Sequence, residues 1–113
     1  MTRNNRVRDE AAIKGSLASL PMDFALLPNY PNPFNPSTTI SYAVPGPAKV
    51  SVKIYNLLGQ EVVTMFNDWQ DMGLHEIVWD GRDQAGMQMA SGMYFTILQS
   101  KGIAKTRKMV LLK

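Results

Sequence analysis

His75 is the single histidine of this chain, and there is no cysteine. A nucleophile–histidine relay or a histidine-based zinc centre would have to use it, yet zinc takes about three or four nitrogen or sulfur ligands. His75 also alternates with Ile77 and Trp79, so it reads as a structural strand residue. The best carboxylate group is Asp80-Gly81-Arg82-Asp83 followed by Gly86, with Asp68 and Asp71 before the same strand. Calcium takes about six to eight oxygens, and such a loop supplies several of them. Its spacing is not that of a helix–loop–helix calcium site, and aspartates in glycine-bearing turns ordinarily accept backbone N–H groups. Paired carboxylates for glycoside hydrolysis need a cleft between them, which short loops do not provide. None of the serines lies in a Gly-x-Ser-x-Gly elbow, and there is no glycine-rich phosphate loop. The expectation is a non-enzymatic protein with no catalytic residue, no metal and no cofactor. Of the aromatic side chains able to stack on sugars or bases, Trp79 and Tyr94 sit in apolar strand patterns and read as core. Trp69 falls in a polar stretch, read as a loop over Asp68–Gly73, and is the exposed one.

The elements around these residues are short strands divided by turn residues. Ile40, Tyr42 and Val44 alternate with Thr39, Ser41 and Ala43 in a strand that starts near Thr38. Val50, Val52 and Ile54 alternate with Lys49, Ser51 and Lys53, giving one dry and one wet face. A turn at Asn56–Gly59 leads to a run over Glu61–Phe66 with Val63 and Met65 on one face. Gly73–Asp80 follows, with His75, Ile77 and Trp79 on one side and Leu74, Glu76 and Val78 on the other. Asp80–Gly92 is a long polar loop. Met93–Ser100 and Ile103–Lys113 are joined by Lys101-Gly102, a hairpin-sized connection. With an initial strand near Phe24–Leu27 the total is seven. This predicts an all-β, immunoglobulin-like antiparallel sandwich over 24–113, preceded by a linker or arm over 1–23 with a short helix at Asp9–Leu17. Gly92 and Tyr94 look structural, as does Gly59 in its turn.

At 113 residues the chain suits one domain and needs no staples for its core. It has no apolar run long enough to span a membrane, and Met1–Glu10 lacks the apolar stretch of a secretory signal. It therefore reads as cytosolic or, preferably, as the C-terminal part of something longer. The net charge of +3 is unevenly spread: the middle of the chain is mildly acidic, while Lys101, Lys105, Arg107, Lys108 and Lys113 stand at the end without an acid among them. Such an end suits nucleic acid, an anionic surface or an acidic groove, or is simply an edge strand protected by lysines. Nucleic acid ranks low, because no aromatic residues interleave with the basic ones.

The segment Leu27–Ile40 carries Asn29, Pro31, Asn32, Pro33, Phe34, Asn35 and Pro36, three prolines alternating with asparagines before a strand. Each proline fixes its own φ and pushes its predecessor toward extended geometry, so the segment should brace the strand that follows. In residue order Leu27–Ile40 resembles the opening motif of the type IX secretion system C-terminal sorting domain (type A). Val52–Val62 resembles that family's second motif. Gly73–Asp83, with Trp79, Asp80, Gly81 and Asp83, followed by Ala90–Tyr94, resembles its third. Lys105–Lys113 resembles the terminal one. The third motif is shared with the immunoglobulin-like domain of the flagellar hook-capping protein, which lacks the Asn-Tyr-Pro-Asn-Pro-Phe opening and the basic last strand.

The resemblance implies an address rather than an enzyme. Domains of this family direct an upstream cargo through the periplasm and outer membrane of Gram-negative bacteria to the surface or medium. Their partners are the type IX machinery and a sortase-like peptidase. Recognition is expected at Lys105, Arg107, Lys108 and Lys113, with strand addition at the sheet edge, while Met109, Val110, Leu111 and Leu112 anchor the end in the core or in a partner. The alternative is a structural module of an extracellular assembly whose arm pairs with a neighbouring copy.

Overall fold

The computed structural model describes residues 23–113. Apart from Asp23, the arm expected over 1–23, with its helix at Asp9–Leu17 and its pairing to a neighbour, lies outside the described residues. Seven strands follow in order: β1 Ala25–Leu26, β2 Thr38–Val44, β3 Ala48–Asn56, β4 Glu61–Gln70, β5 Gly73–Trp79, β6 Gly92–Ser100 and β7 Ile103–Leu111. They form a three-stranded sheet, β1-β2-β5, and a four-stranded sheet, β4-β3-β6-β7. Every pairing within the sheets is antiparallel. This is the immunoglobulin-like sandwich that the strand pattern predicts.

The period-2 alternation decides which face of each strand turns inward. Val50, Val52 and Ile54 of β3 are fully buried, and Ile40, Tyr42 and Val44 of β2 meet them from the other sheet. In β5 the inward side is His75, Ile77 and Trp79, while Leu74 and Val78 face solvent. His75 is a strand residue whose Nε2 lies 2.8 Å from the Asp71 carbonyl and whose ring lies 5.5 Å from that of Tyr42. The hairpin between β6 and β7 closes through Lys101 (φ 50°) and Gly102 (φ 78°). Positive φ at both turn positions matches the twist of the flanking strands.

Trp79 is the largest wholly buried side chain and the centre of one end of the core. Phe34 packs against it with ring centroids 5.5 Å apart, and Tyr94 meets it edge-on at 5.3 Å. Its indole N–H donates to the Arg82 carbonyl at 2.9 Å. The Tyr94 hydroxyl donates to the Ala90 carbonyl at 2.7 Å, the corner by which such sandwiches tie a strand to the loop before it. Between Trp79 and Tyr94 the loop is stitched by its aspartates. Asp80 Oδ1 accepts from the Arg82 N–H, and Asp83 Oδ1 accepts from the N–H groups of Ala85 and Met87. Among the described residues no three or more histidine, aspartate or glutamate side chains gather as a metal site. Gly81 adopts φ 79°, and a Cβ there would lie 3.1 Å from the Pro36 carbonyl oxygen and 3.2 Å from Gln88 Nε2. Only glycine lets this loop lie so close under the proline-rich segment.

The loop expected over Asp68–Gly73 is not there. β4 runs on to Gln70, so Trp69 lies on a strand opposite Lys49. Asn67 and Asp68 are poor β-formers, but their partners Ser51 and Val50 belong to a strongly patterned strand, and pairing outweighs propensity. Val63 and Met65, expected to share a face, are both partly buried and packed against the core. Two register irregularities, between Val52 and Lys53 and between Ile54 and Tyr55, break the alternation. The side chain delivered to the core is Val62, with Val63, Met65 and Phe66 only partly covered.

Replacing Phe34 by Ala should destabilise the fold by about 3–5 kcal/mol, because it opens a cavity against Trp79. Urea unfolding followed by tryptophan fluorescence measures it, with exposed Leu58→Ala as a near-neutral reference. Burial raises the hydroxyl pKa of Tyr42 and of Tyr94 above 10.0. A raised folded-state pKa contributes stability that is intact below pH 10 and is lost as pH climbs through the folded value. The urea midpoint should therefore fall above pH 10, and Tyr42→Phe should flatten part of that fall.

Candidate functional site

The proline-rich segment does more than brace β2: it holds the last strand. The Asn29 side chain is buried and donates to Thr38 Oγ1 at 2.9 Å, and Thr38 Oγ1 donates to the Pro31 carbonyl at 2.8 Å. The backbones of Tyr30 and Thr39 exchange both hydrogen bonds, at 2.8 and 3.0 Å. These contacts fix the turn, with Pro31, Pro33, Asn35 and Pro36 on its exposed outside. The turn then delivers Asn32 and Phe34 to β7. The Asn32 side chain accepts from the Val110 N–H at 3.0 Å and donates to the Lys108 carbonyl at 3.3 Å. The Phe34 N–H donates to the Val110 carbonyl at 2.9 Å, and the Leu112 N–H donates to the Phe34 carbonyl at 3.0 Å. Phe34 and Leu111 thus form a parallel bridge between the first and last parts of the described chain. Beyond it, the Lys113 N–H donates to Ser91 Oγ at 3.0 Å.

This clasp divides β7 into two halves. At the far end Met109 and Leu111 are fully buried and Val110 is half-buried. They anchor the strand, and a partner cannot read Met109 or Leu111 while the domain stays folded. At the near end every residue from Ile103 to Lys108 is exposed. Register puts Lys105 and Arg107 on the same face as Met109, opposite Leu98 and Thr96, and puts Thr106 and Lys108 on the other face. Basic groups therefore project from both sides, as the sequence predicts. Arg107 faces the other sheet, where its Nε donates to the carbonyl of Leu26, the last residue of β1, at 2.8 Å.

The backbone of β7 has the same division. Lys108, Val110 and Leu112 direct outward the groups that the clasp occupies. By strand alternation Ala104 and Thr106 also point their N–H and C=O outward. Among the described residues no strand pairs with them there, since β7 is a sheet edge. Strand addition is thus open at Ala104–Thr106 and closed at Val110–Leu112, which halves the edge expected from sequence. Gly59 lies in the β3–β4 turn and Gly92 opens β6 opposite Leu111, both as structural residues. Sequence reading missed the reach of Asn32 to Lys108 and Val110. Its signal was an asparagine held between two prolines, where few conformations remain to spoil its aim.

Residues 34–101 match the family model described as FlgD Ig-like domain. Among solved structures, this chain is similar to dimeric latent PorU from Porphyromonas gingivalis, with a TM-score of 0.60 and 22% identity over 77% of this chain. It is also similar to FlgD from P. aeruginosa, with a TM-score of 0.52 and 26% identity over 66% of this chain. A third similar structure is PorZ, described as an essential bacterial surface component of the type IX secretion system of P. gingivalis, with a TM-score of 0.50 and 20% identity over 88% of this chain. The chain spans only 9%, 58% and 13% of those three proteins respectively. No curated protein matches it in sequence.

Asn32→Ala should cost about 1–3 kcal/mol, because it strips two hydrogen bonds from the Lys108–Val110 backbone. Hydrogen exchange locates the effect: the Val110 and Leu112 amides should lose protection while the β3 amides keep theirs.

Proposed function

We propose, on the premise that this chain belongs to the FlgD Ig-like domain family, that it is a non-enzymatic sorting domain. In this reading it directs an upstream cargo through type IX secretion to the cell surface or medium. The observation that carries it is the divided last strand. A folded address must be stable and readable at once, and β7 is anchored by Met109, Leu111 and the Asn32–Phe34 clasp while Lys105, Arg107 and Lys108 stand in solvent. Two further facts support the reading. The four ordered motifs resemble those of the type IX sorting family, and PorZ, which shares the fold, is described as a component of that system. The partner proposed is the secretion machinery with its sortase-like peptidase, engaging the ammonium and guanidinium groups by charge-assisted hydrogen bonds. A backbone ladder at Ala104 and Thr106 would add to them.

A second reading is a structural module of a surface assembly. It is favoured by the likeness to FlgD and by the open edge of β7. Both readings use the same strand, but only the first makes its charges decisive for transport.

The test fuses a signal peptide and a fluorescent reporter to the N-terminus of the whole chain in a host with the type IX machinery. Three forms are compared: the parent, a Lys105→Gln/Arg107→Gln/Lys108→Gln variant, and Thr106→Pro, which removes an outward N–H without touching the ladder to β6. Removing Lys108–Lys113 altogether is a poor probe, because it takes Met109 and Leu111 from the core. The expected result is surface or medium delivery of the parent and periplasmic retention of the charge variant, which should stay folded and lose only about 0.5–1.5 kcal/mol with the Arg107–Leu26 hydrogen bond. Equal delivery of parent and charge variant would turn the reading toward the structural module.

A further inference from the structure

We propose that the outer face of the four-stranded sheet carries a binding site for an acidic saccharide, centred on Trp69, Lys49 and Lys101. An open groove of about 460 Å³ is lined by Lys49, Ser51, Asn67, Gln99 and the β6–β7 turn at Ser100–Ile103, and Trp69 flanks it from beside Lys49. Its floor is set by register. Ser51 pairs with Asn67 on one side and Gln99 on the other, making a row of a hydroxyl and two amides across three strands. The next pair along β3 and β4 is Lys49 with Trp69, so their side chains rise on the same face, with Cβ atoms roughly 5 Å apart as for any directly opposed pair. Trp69 is 65% exposed, so its ring is available to a ligand beside the groove.

Each group selects the same kind of ligand. Hydroxyl and amide side chains both donate and accept, which suits a polyhydroxylated molecule that does the same. The indole offers a flat apolar plate to the C–H face of a sugar ring. The two ammonium groups ask for an anion. Among the described residues neither Lys49 nor Lys101 lies within ion-pair distance of a carboxylate, whereas neighbouring Lys53 has Glu61 at 3.5 Å. Asp68 belongs to the opposite face, in register with buried Val50. An acidic peptide fits less well. Extended peptides bind by pairing in plane with a sheet edge; although Asn67 and Trp69 lie on the edge strand β4, the groove is an outer-face site whose floor is made of side chains, with Ser51 and Gln99 on the inner strands β3 and β6. The site uses none of Lys105, Arg107 and Lys108, so it stands apart from the sorting reading.

The full chain is titrated by calorimetry and tryptophan fluorescence with an oligogalacturonate, a sulfated heparin oligosaccharide, a neutral galacto-oligosaccharide and polyglutamate. Trp79 is 1% exposed, so a fluorescence response reports on Trp69. The expected result is saturable binding of at least one acidic saccharide, with a change in emission. Trp69→Ala and Lys49→Gln/Lys101→Gln should each weaken it by about tenfold or more, and Lys105→Gln/Lys108→Gln should leave it unchanged. Trp69 and both lysines are exposed, so these variants should keep the parent's urea midpoint. Binding of neither acidic saccharide overturns the proposal. So does equal binding of polyglutamate, or a loss confined to the Lys105/Lys108 variant, which would mark a general polyanion effect of the basic strand.

Discussion

The structure depends on one contact, the parallel pairing of Asn32 and Phe34 with Lys108–Leu112. It ties the segment before β2 to the strand that ends the fold, and so joins the two sheets at one end of the sandwich. It also seats Phe34 on Trp79, so the same short segment closes the core and pairs the exposed edge. Edge strands that stay open along their length invite unwanted pairing. Here half of β7 is closed from within the chain, and the rest carries lysine, arginine and threonine. Asn29, Thr38 and Pro31 are the buttress behind this contact, and Gly81 makes room for it from below.

Much of the architecture was legible because most strands follow strict alternation. β2, β3 and β5 announce their inner faces residue by residue, and their burial follows the pattern. Trp79 and Tyr94 were legible as core for the same reason. β4 was not, and the cause is specific. Two irregularities shift its register, so Val62 rather than Val63 reaches the interior, and no period-2 reading can recover that. Its far end is a strand by virtue of its partner, since Asn67 and Asp68 carry no β signal of their own. Propensity is a local quantity and pairing is not.

The candidate site was legible in part. The run from Lys105 to Lys108 shows in sequence that it cannot be buried on either face, and both faces are indeed exposed. Its limits were not legible. Met109 and Leu111 show in sequence as an anchor, but that Arg107 is tethered to Leu26 and that the edge is closed from Val110 onward arise from contacts between residues more than seventy positions apart. Charge segregation follows a similar logic. The acidic residues serve the body, with Asp80 and Asp83 spent on capping turns, while the basic ones collect on β7 and at the β6–β7 turn.

The direction of the clasp has a mechanical consequence. Because Phe34 and Leu111 run parallel, tension applied between the segment preceding Asn29 and the residues following Leu111 pulls the two strands along their length in opposite senses. The hydrogen bonds at Val110 and Leu112 are then loaded in shear, together, rather than peeled one after another. The load on the N-terminal side first meets the pairing of β1 with β2 and of Tyr30 with Thr39, and then the clasp, so a domain drawn by a covalently attached neighbour resists as a rivet would, with the Phe34 ring as its head.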